Sequence, residues 1–181
     1  MRLVDRRTQI SRRNFLKTTG AAGPVAVLVG TSITADAAWA QAATTIKPAV
    51  LATMVKAARD IYPHDQIGDV FYVRAVTPWD AKAAKDPAVA TMLADGVARL
   101  DADAMAKHNS TYLAMLWEAD RVALLRGIED TAFFKAMRSD LVVSLYNQPE
   151  LWPKLGYEGS SAEHGGYIAR GFNDIDWLPT V

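Results

Sequence analysis

The 181-residue chain contains no cysteine. This absence excludes disulfide bonds, cysteine-ligated iron–sulfur clusters and the C-x-x-C-H attachment of haem. The sequence also lacks the glycine-rich motifs that bind dinucleotides or nucleotide phosphates, and the H-E-x-x-H motif of zinc hydrolases. We therefore assign no catalytic residue, no cofactor-binding residue and no metal ligand to this chain. If a cofactor is involved, we expect it on another chain.

A short basic box near the N-terminus organises the rest of the chain. The box reads Ser-Arg-Arg-Asn-Phe-Leu-Lys over residues 11–17, and a weakly apolar run of small residues follows it to Ala40. A charged region, an apolar region and a small-residue cleavage site in this order are typical of an export signal, and adjacent arginines favour the twin-arginine pathway. The predicted signal residues are Ser11, Arg12, Arg13, Phe15, Leu16 and Lys17.

The export signal predicts a periplasmic protein and divides the chain. Ala38-Trp39-Ala40 fits the A-x-A rule, so we predict cleavage after Ala40. An uncleaved membrane anchor is the alternative, which Pro24 and the glycines of the apolar run disfavour. We expect a signal peptide over residues 1–40, a helical domain over 41–149 and a C-terminal arm over 150–181. Small residues at 41–46 predict a mobile tether.

The charge and hydropathy of the residues after Ala40 argue against nucleic-acid binding and against a membrane span. The first 40 residues hold six of the 20 basic and two of the 20 acidic residues, which leaves 14 basic and 18 acidic residues and a net charge of −4. A mildly acidic domain without a basic stripe is a poor nucleic-acid binder. No later apolar run approaches the roughly 18 residues of a membrane span.

Apolar residues recur at helical spacing through most of the chain, which predicts an all-α helical bundle of four to six helices. Pro48 suits the first turn of a helix that ends near Tyr62, and Pro87 starts a helix that reaches about His108. Residues 69–76 are interpreted as a helix, with a short strand as the competitor. A helix over residues 112–125 and one capped by Thr131 complete the bundle. We expect Trp79 and Trp117 in the core, and Arg121 among the outward charged residues.

The last 31 residues have a different character. Residues 151–181 are rich in glycine and aromatic residues and show no helical period. Disordered tails are poor in aromatics, so we predict an ordered, irregular arm that lies over its own bundle or over a partner. Two alternatives stay open, because the same aromatics could form an interface or fix the arm to its own bundle. The predicted interface residues are Trp152, Gly156, Tyr157, Gly159, Gly165, Gly166, Tyr167, Arg170, Phe172 and Trp177.

Part of this arm resembles a known family. Trp152-x-x-x-Gly156-Tyr157-x-Gly159 is similar to the C-terminal block of the gluconate 2-dehydrogenase subunit 3 family. The Ile-Tyr-Pro-His-Asp element at residues 61–65 resembles the opening of that family, and residues 121–134 resemble its middle section. The segment over residues 165–177 is longer and more aromatic than the family pattern, and some relatives carry cysteines that this chain lacks.

The resemblance implies a partner for this chain. Members of that family are small (gamma), twin-arginine-exported subunits of periplasmic dehydrogenases that oxidise sugars or alcohols. The implied partner is a large flavoprotein of the glucose–methanol–choline (GMC) oxidoreductase class, which binds FAD, carries the chemistry and has no signal of its own. A cytochrome c often accepts the electrons in this family, and the complex can associate with the membrane. The expected assembly is a heterodimer that crosses through the twin-arginine translocase.

Three histidines offer alternatives to this interpretation. His64 stands beside Asp65, with Asp60 and Asp69 about one helical turn away on either side, and a carboxylate can orient an imidazole for metal binding or acid–base chemistry. A stand-alone periplasmic enzyme using these residues, or a periplasmic binding module, is therefore the alternative function. His108 is expected to be exposed on its helix. His164 lies near Ser160 and Ser161, but no G-x-S-x-G motif surrounds those serines.

Overall fold

The structure is a computed structural model that describes residues 33–168. Within this range the chain forms seven α-helices and two short 3-10 helices, without a strand, which confirms the all-α prediction. The α-helices are α1 Ala38–Gln41, α2 Pro48–Ile61, α3 Asp69–Val76, α4 Pro78–Lys85, α5 Pro87–His108, α6 Glu118–Arg126 and α7 Ala132–Ser144. The 3-10 helices span Pro149–Leu155 and Ser161–His164. Signal residues 11–17 and the predicted interface residues Arg170, Phe172 and Trp177 lie outside the described residues.

The helix ends follow local sequence signals. Pro48 occupies the first turn of α2, where its missing N–H costs no hydrogen bond. The Asp86 carboxylate accepts a hydrogen bond from the Ala88 amide at 2.9 Å and caps α5, and the Thr131 hydroxyl caps α7 in the same way. Asn109 ends α5 in the left-handed region, with a φ of 51°. These starts and stops match the predicted ones.

Helix α2 is the centre of the bundle. It packs against α1, α3, α5, α6 and α7. Leu51, Met54 and Val55 are fully buried. Buried residues lie on several faces of this helix rather than on one stripe, because neighbouring helices surround it. A helix that is buried on most sides can bring polar groups into the core only if they are paired there.

A close crossing joins α5 to α7. Gly96 of α5 faces the Phe133 ring, and a Cβ built on Gly96 would lie 2.2 Å from Phe133 Cγ. A glycine is therefore required here because the Phe133 ring leaves no space for a side chain, and not because of the backbone angles. Phe133 is buried at this crossing.

Three predictions about residues 112–121 are wrong. Helix α6 begins at Glu118 rather than near Tyr112, and the preceding residues form turns. Trp117 is 75% exposed instead of in the core, whereas Trp79 is buried as predicted. Arg121 is 5% exposed instead of facing solvent. The common cause is that the Arg121 side chain enters the bundle and binds the turns before its own helix.

The prediction of a mobile tether over residues 41–46 is also wrong. The backbone amides of Thr44, Thr45 and Ile46 all donate hydrogen bonds to the Asp80 carboxylate of α4, over 2.7–2.9 Å. Ile46 is buried in the core. This segment is therefore part of the folded domain, and the boundary predicted after Ala40 falls inside α1.

Candidate functional site

A buried ion pair joins the central helix to α6. Arg121 donates to both carboxylate oxygens of Asp60, from Nε to Oδ2 at 2.7 Å and from Nη2 to Oδ1 at 2.8 Å. The Tyr112 hydroxyl donates to Asp60 Oδ2 at 2.7 Å. Asp60 and Arg121 are almost completely buried, and Tyr112 is fully buried. We call Asp60, Tyr112 and Arg121 the brace.

The brace is charge-balanced and well hydrogen-bonded. The hydrogen bonds that Arg121 donates to Asp60 raise the pKa of Arg121, and burial opposes this shift only in part. Burial raises the pKa of Tyr112, and the neighbouring Asp60 charge raises it further. Tyr112 therefore stays neutral and donates a hydrogen bond to Asp60, and Arg121 stays charged. A bidentate arginine–carboxylate pair of this kind fixes geometry as well as charge.

The brace also fixes a loop on the protein surface. Arg121 Nη1 donates to the backbone carbonyls of Met115 and Leu116, both at 3.0 Å. We call residues 109–117 the brace loop. Leu116 is 88% exposed and Trp117 is 75% exposed. A groove of about 310 Å³ runs beside them, with His108, Ser110 and Asp120 among its polar lining residues.

Leu116 and Trp117 are two adjacent, exposed, large apolar side chains on an ordered loop. Exposed apolar patches rimmed by polar groups mark contact sites for proteins more often than single scattered residues do. Arg121 holds the backbone from inside, so the exposed pair is displayed on a preformed support. Sequence periodicity does not reveal this site, because it places Trp117 on a buried helical face.

The structure does not bring His64 together with the three carboxylates proposed around it. Asp60 belongs to the brace, and Asp69 pairs with Arg59 at 2.8 Å. His64 Nε2 instead lies 2.7 Å from the Tyr146 hydroxyl. Burial, with a smaller contribution from Tyr62, raises the pKa of Tyr146. Across residues 33–168, no group of three or more His, Asp or Glu side chains is placed to hold a metal ion.

The other two histidines have surface positions. His108 lies near the end of α5, with Nδ1 3.9 Å from a carboxylate oxygen of Asp120, and is exposed as predicted. His164 Nε2 lies 3.3 Å from the backbone carbonyl of Glu158.

The first part of the C-terminal arm is fixed to its own bundle. Trp152 Nε1 donates to the backbone carbonyl of Tyr146 at 2.9 Å, and the Trp152 and Tyr157 rings pack edge to face with centroids 5.3 Å apart. Gly156 takes a φ of 74° and ends the first 3-10 helix. Gly159 has a φ of 100° and approaches the Trp152 ring, which explains the glycines of this block.

Exposure increases along the arm. Tyr157 is 49% exposed, and Tyr167 is 67% exposed. Gly165 and Gly166 lie between these two tyrosines in the sequence, and both have positive φ. Trp152 therefore supports the arm, while Tyr157 and Tyr167 remain accessible. Their role as interface residues stays a prediction.

Comparison with known proteins gives one match. Residues 9–29 match the TAT (twin-arginine translocation) pathway signal sequence. The match contains the predicted box at residues 11–17, and it implies that the chain is exported across the membrane to the periplasm. No curated protein and no solved structure matches the chain.

No helix within residues 33–168 combines the length and apolar character needed to cross a membrane.

Proposed function

We propose that this chain is the non-catalytic small (gamma) subunit and twin-arginine export escort of a periplasmic FAD-dependent dehydrogenase of the GMC class. The observation that carries the proposal is the exposed pair Leu116 and Trp117, held on a buried brace in a chain with a twin-arginine signal. An escort needs a signal and a surface that a folded partner can bind.

The brace loop has the physical properties of a binding anchor. Tryptophan is enriched among the residues that dominate binding energy, particularly where a polar rim excludes water around it. Arg121 binds two loop carbonyls, so little backbone ordering is left to occur on association. Preorganisation of this kind strengthens binding because it reduces the entropy lost when the complex forms.

The C-terminal arm supports a second contact. Its block from Trp152 to Gly159 resembles the gluconate 2-dehydrogenase subunit 3 family. Tyr157, which packs on Trp152, is half-exposed, and Tyr167 further along the arm is exposed. Aromatic side chains on an ordered arm offer large rigid contact areas. We assign Tyr157 and Tyr167 to the same partner as the brace loop.

In this proposal the partner does the chemistry. The large subunit binds FAD and oxidises a sugar or an alcohol, and a cytochrome c subunit receives the electrons. The small subunit contributes the export signal and a docking surface, and it remains bound as a heterodimer in the periplasm.

Export of the large subunit tests the proposal. Both genes are expressed together, and the location of FAD-dependent dehydrogenase activity is measured after cell fractionation. With the native signal, we expect both chains in the periplasm. Arg12→Lys combined with Arg13→Lys should leave both chains in the cytoplasm, because lysine does not reproduce the paired guanidinium forks. Periplasmic activity that is unchanged by this double substitution would contradict the escort role.

The His64–Tyr146 contact favours the second candidate, a stand-alone periplasmic enzyme. A hydrogen-bonded imidazole and phenol can transfer a proton, and both side chains are half-buried at the surface. Elemental analysis of the purified chain and a His64→Ala variant distinguish the two functions. Bound metal, or loss of an intrinsic activity in the variant, would support the enzyme. A metal-free chain whose partner supplies all the activity would support the escort.

A further inference from the structure

The predicted cleavage site lies in folded structure. Ala38 and Ala40, the two recognition residues, belong to α1, and Ala40 is fully buried. The two groups of the bond to be cut are both hydrogen-bonded. The Gln41 amide donates to the Ala37 carbonyl at 3.0 Å, and the Ala40 carbonyl accepts from the Ala43 amide at 3.2 Å. A peptidase therefore meets neither an extended chain nor a free Ala40 side chain.

The residues that follow are tied to the bundle by one carboxylate. Asp80 accepts four hydrogen bonds, three from the amides of Thr44, Thr45 and Ile46 and one from the Thr44 hydroxyl at 3.0 Å. Burial opposes ionisation of Asp80, but these donors outweigh it and lower the pKa of the carboxyl group. We call residues 38–46 the strap.

The strap is also packed on apolar surface. Helix α1 contacts α2, and the Trp39 side chain packs against the core. Ile46 anchors the other end in the core. Ala40 and Trp39 hold one end of the strap against the bundle, and Ile46 together with the Asp80 carboxylate holds the other end.

We infer that the folded domain shields the Ala40–Gln41 bond, and that Asp80 is the latch that keeps the strap closed. Signal removal at this bond then requires the strap to open. The signal stays on the chain through folding and transport, and processing follows an opening step rather than folding itself. This inference uses the strap alone and does not depend on the proposed flavoprotein partner.

The rate of signal removal measures strap opening. When opening and closing are fast relative to cleavage, proteolysis follows the equilibrium population of the open form. The substrate is the full chain purified from cells without a twin-arginine translocase, so that it keeps its signal. Purified signal peptidase in detergent cleaves it, and mass spectrometry identifies the cut bond. A peptide spanning residues 33–48 is the unfolded reference.

We expect the peptide to be cut after Ala40 at least ten times faster than the folded chain. Asp80→Asn keeps the size of the side chain but removes its charge and one acceptor oxygen, so it should raise the cleavage rate of the folded chain about tenfold. Thr44→Ala removes only the hydroxyl donor and should give a smaller increase. Asp130→Asn, an exposed carboxylate remote in sequence from the strap, is the matched control and should leave the rate unchanged.

Each of the following three results would overturn the inference. Equal cleavage of the folded chain and the peptide would show that the bond is not shielded. An Asp80→Asn rate equal to the native rate would remove Asp80 as the latch. A peptide that is uncut after Ala40 would show that this bond is not the processing site. Circular dichroism confirms folding of each variant, and Thr44→Ala decides the test if Asp80→Asn is unfolded.

Discussion

Arg121 and Asp60 are 61 residues apart in the sequence and meet inside the bundle through two parallel hydrogen bonds of 2.7 and 2.8 Å. Arg121 belongs to α6 and binds Asp60 of the central helix α2. Its remaining nitrogen, Nη1, donates to two backbone carbonyls of the brace loop, so one side chain connects all three segments. The pair therefore links the core of the protein to the loop that carries the exposed Leu116 and Trp117.

Breaking this pair is expected to destabilise the fold strongly. Arg121→Met leaves the Asp60 carboxylate buried with Tyr112 as its remaining partner, which should lower the free energy of unfolding by about 3–5 kcal/mol. Urea denaturation followed by circular dichroism measures the loss. Arg99→Met is the control, because Arg99 pairs with Asp103 on the surface and should contribute at most about 1 kcal/mol. Equal losses in the two variants would contradict the role of the brace.

The exposed tryptophan is expected to matter for binding and not for folding. If the proposed large subunit binds here, Trp117→Ala should weaken that association about 30-fold, which corresponds to the roughly 2 kcal/mol expected of a dominant interface residue. Unfolding free energy should be almost unchanged, since the side chain is 75% exposed. Surface plasmon resonance measures the binding. Val143→Ala, at a 63% exposed apolar position on α7, is the matched control and should bind normally.

The close crossing of α5 and α7 predicts that one added methyl group lowers stability. Gly96→Ala places a Cβ against the Phe133 ring, and overpacking of this kind costs about 1–3 kcal/mol. The gain in helix propensity offsets up to about 1 kcal/mol of that cost. Thermal unfolding should show a lower midpoint. Gly68→Ala meets no atom within 4 Å and should shift the free energy of unfolding by less than about 1 kcal/mol. A midpoint for Gly96→Ala at or above the native value would contradict the crossing.

Stability is expected to fall in alkaline solution partly because of Tyr72. Burial raises the pKa of Tyr72 to about 12, from 10.0, and its hydroxyl donates to the Tyr62 carbonyl at 2.7 Å. The unfolded chain loses this proton at lower pH than the folded chain, so the contribution is complete below pH 10 and is lost as the pH rises through about 12. Urea titrations at pH 9 to 12 measure the slope. Tyr72→Phe should have a shallower slope in that window, and an unchanged slope would contradict the assignment.

Several helix starts are predictable from the sequence because their signals are local. Pro48, Pro87 and Thr131 mark helix starts through backbone chemistry that acts within one turn, and the structure has helices at these points. The segment at residues 69–76 was harder, since aromatic and β-branched residues also suit a strand. Its position between helices made the helix the better prediction.

The brace was not predictable from one sequence. Arg121 sits among charged residues that do face solvent, and nothing local distinguishes it from Arg126. Its partner is on another helix, and only the packing of α2 against α6 brings the two together. In the structure this helix begins at Glu118 instead of near Tyr112, and Trp117 lies on the surface before it. The strap shows the same limit, because Asp80 reaches residues 44–46 through folding rather than through sequence proximity.

Co-purification tests the central claim most directly. A tagged copy of the chain is expressed in its native host and isolated from the periplasm, and the visible spectrum and the bound chains are recorded. The escort function predicts a flavin absorption band and a large companion chain at a fixed ratio to the tagged protein. A colourless small protein isolated without a companion would contradict it.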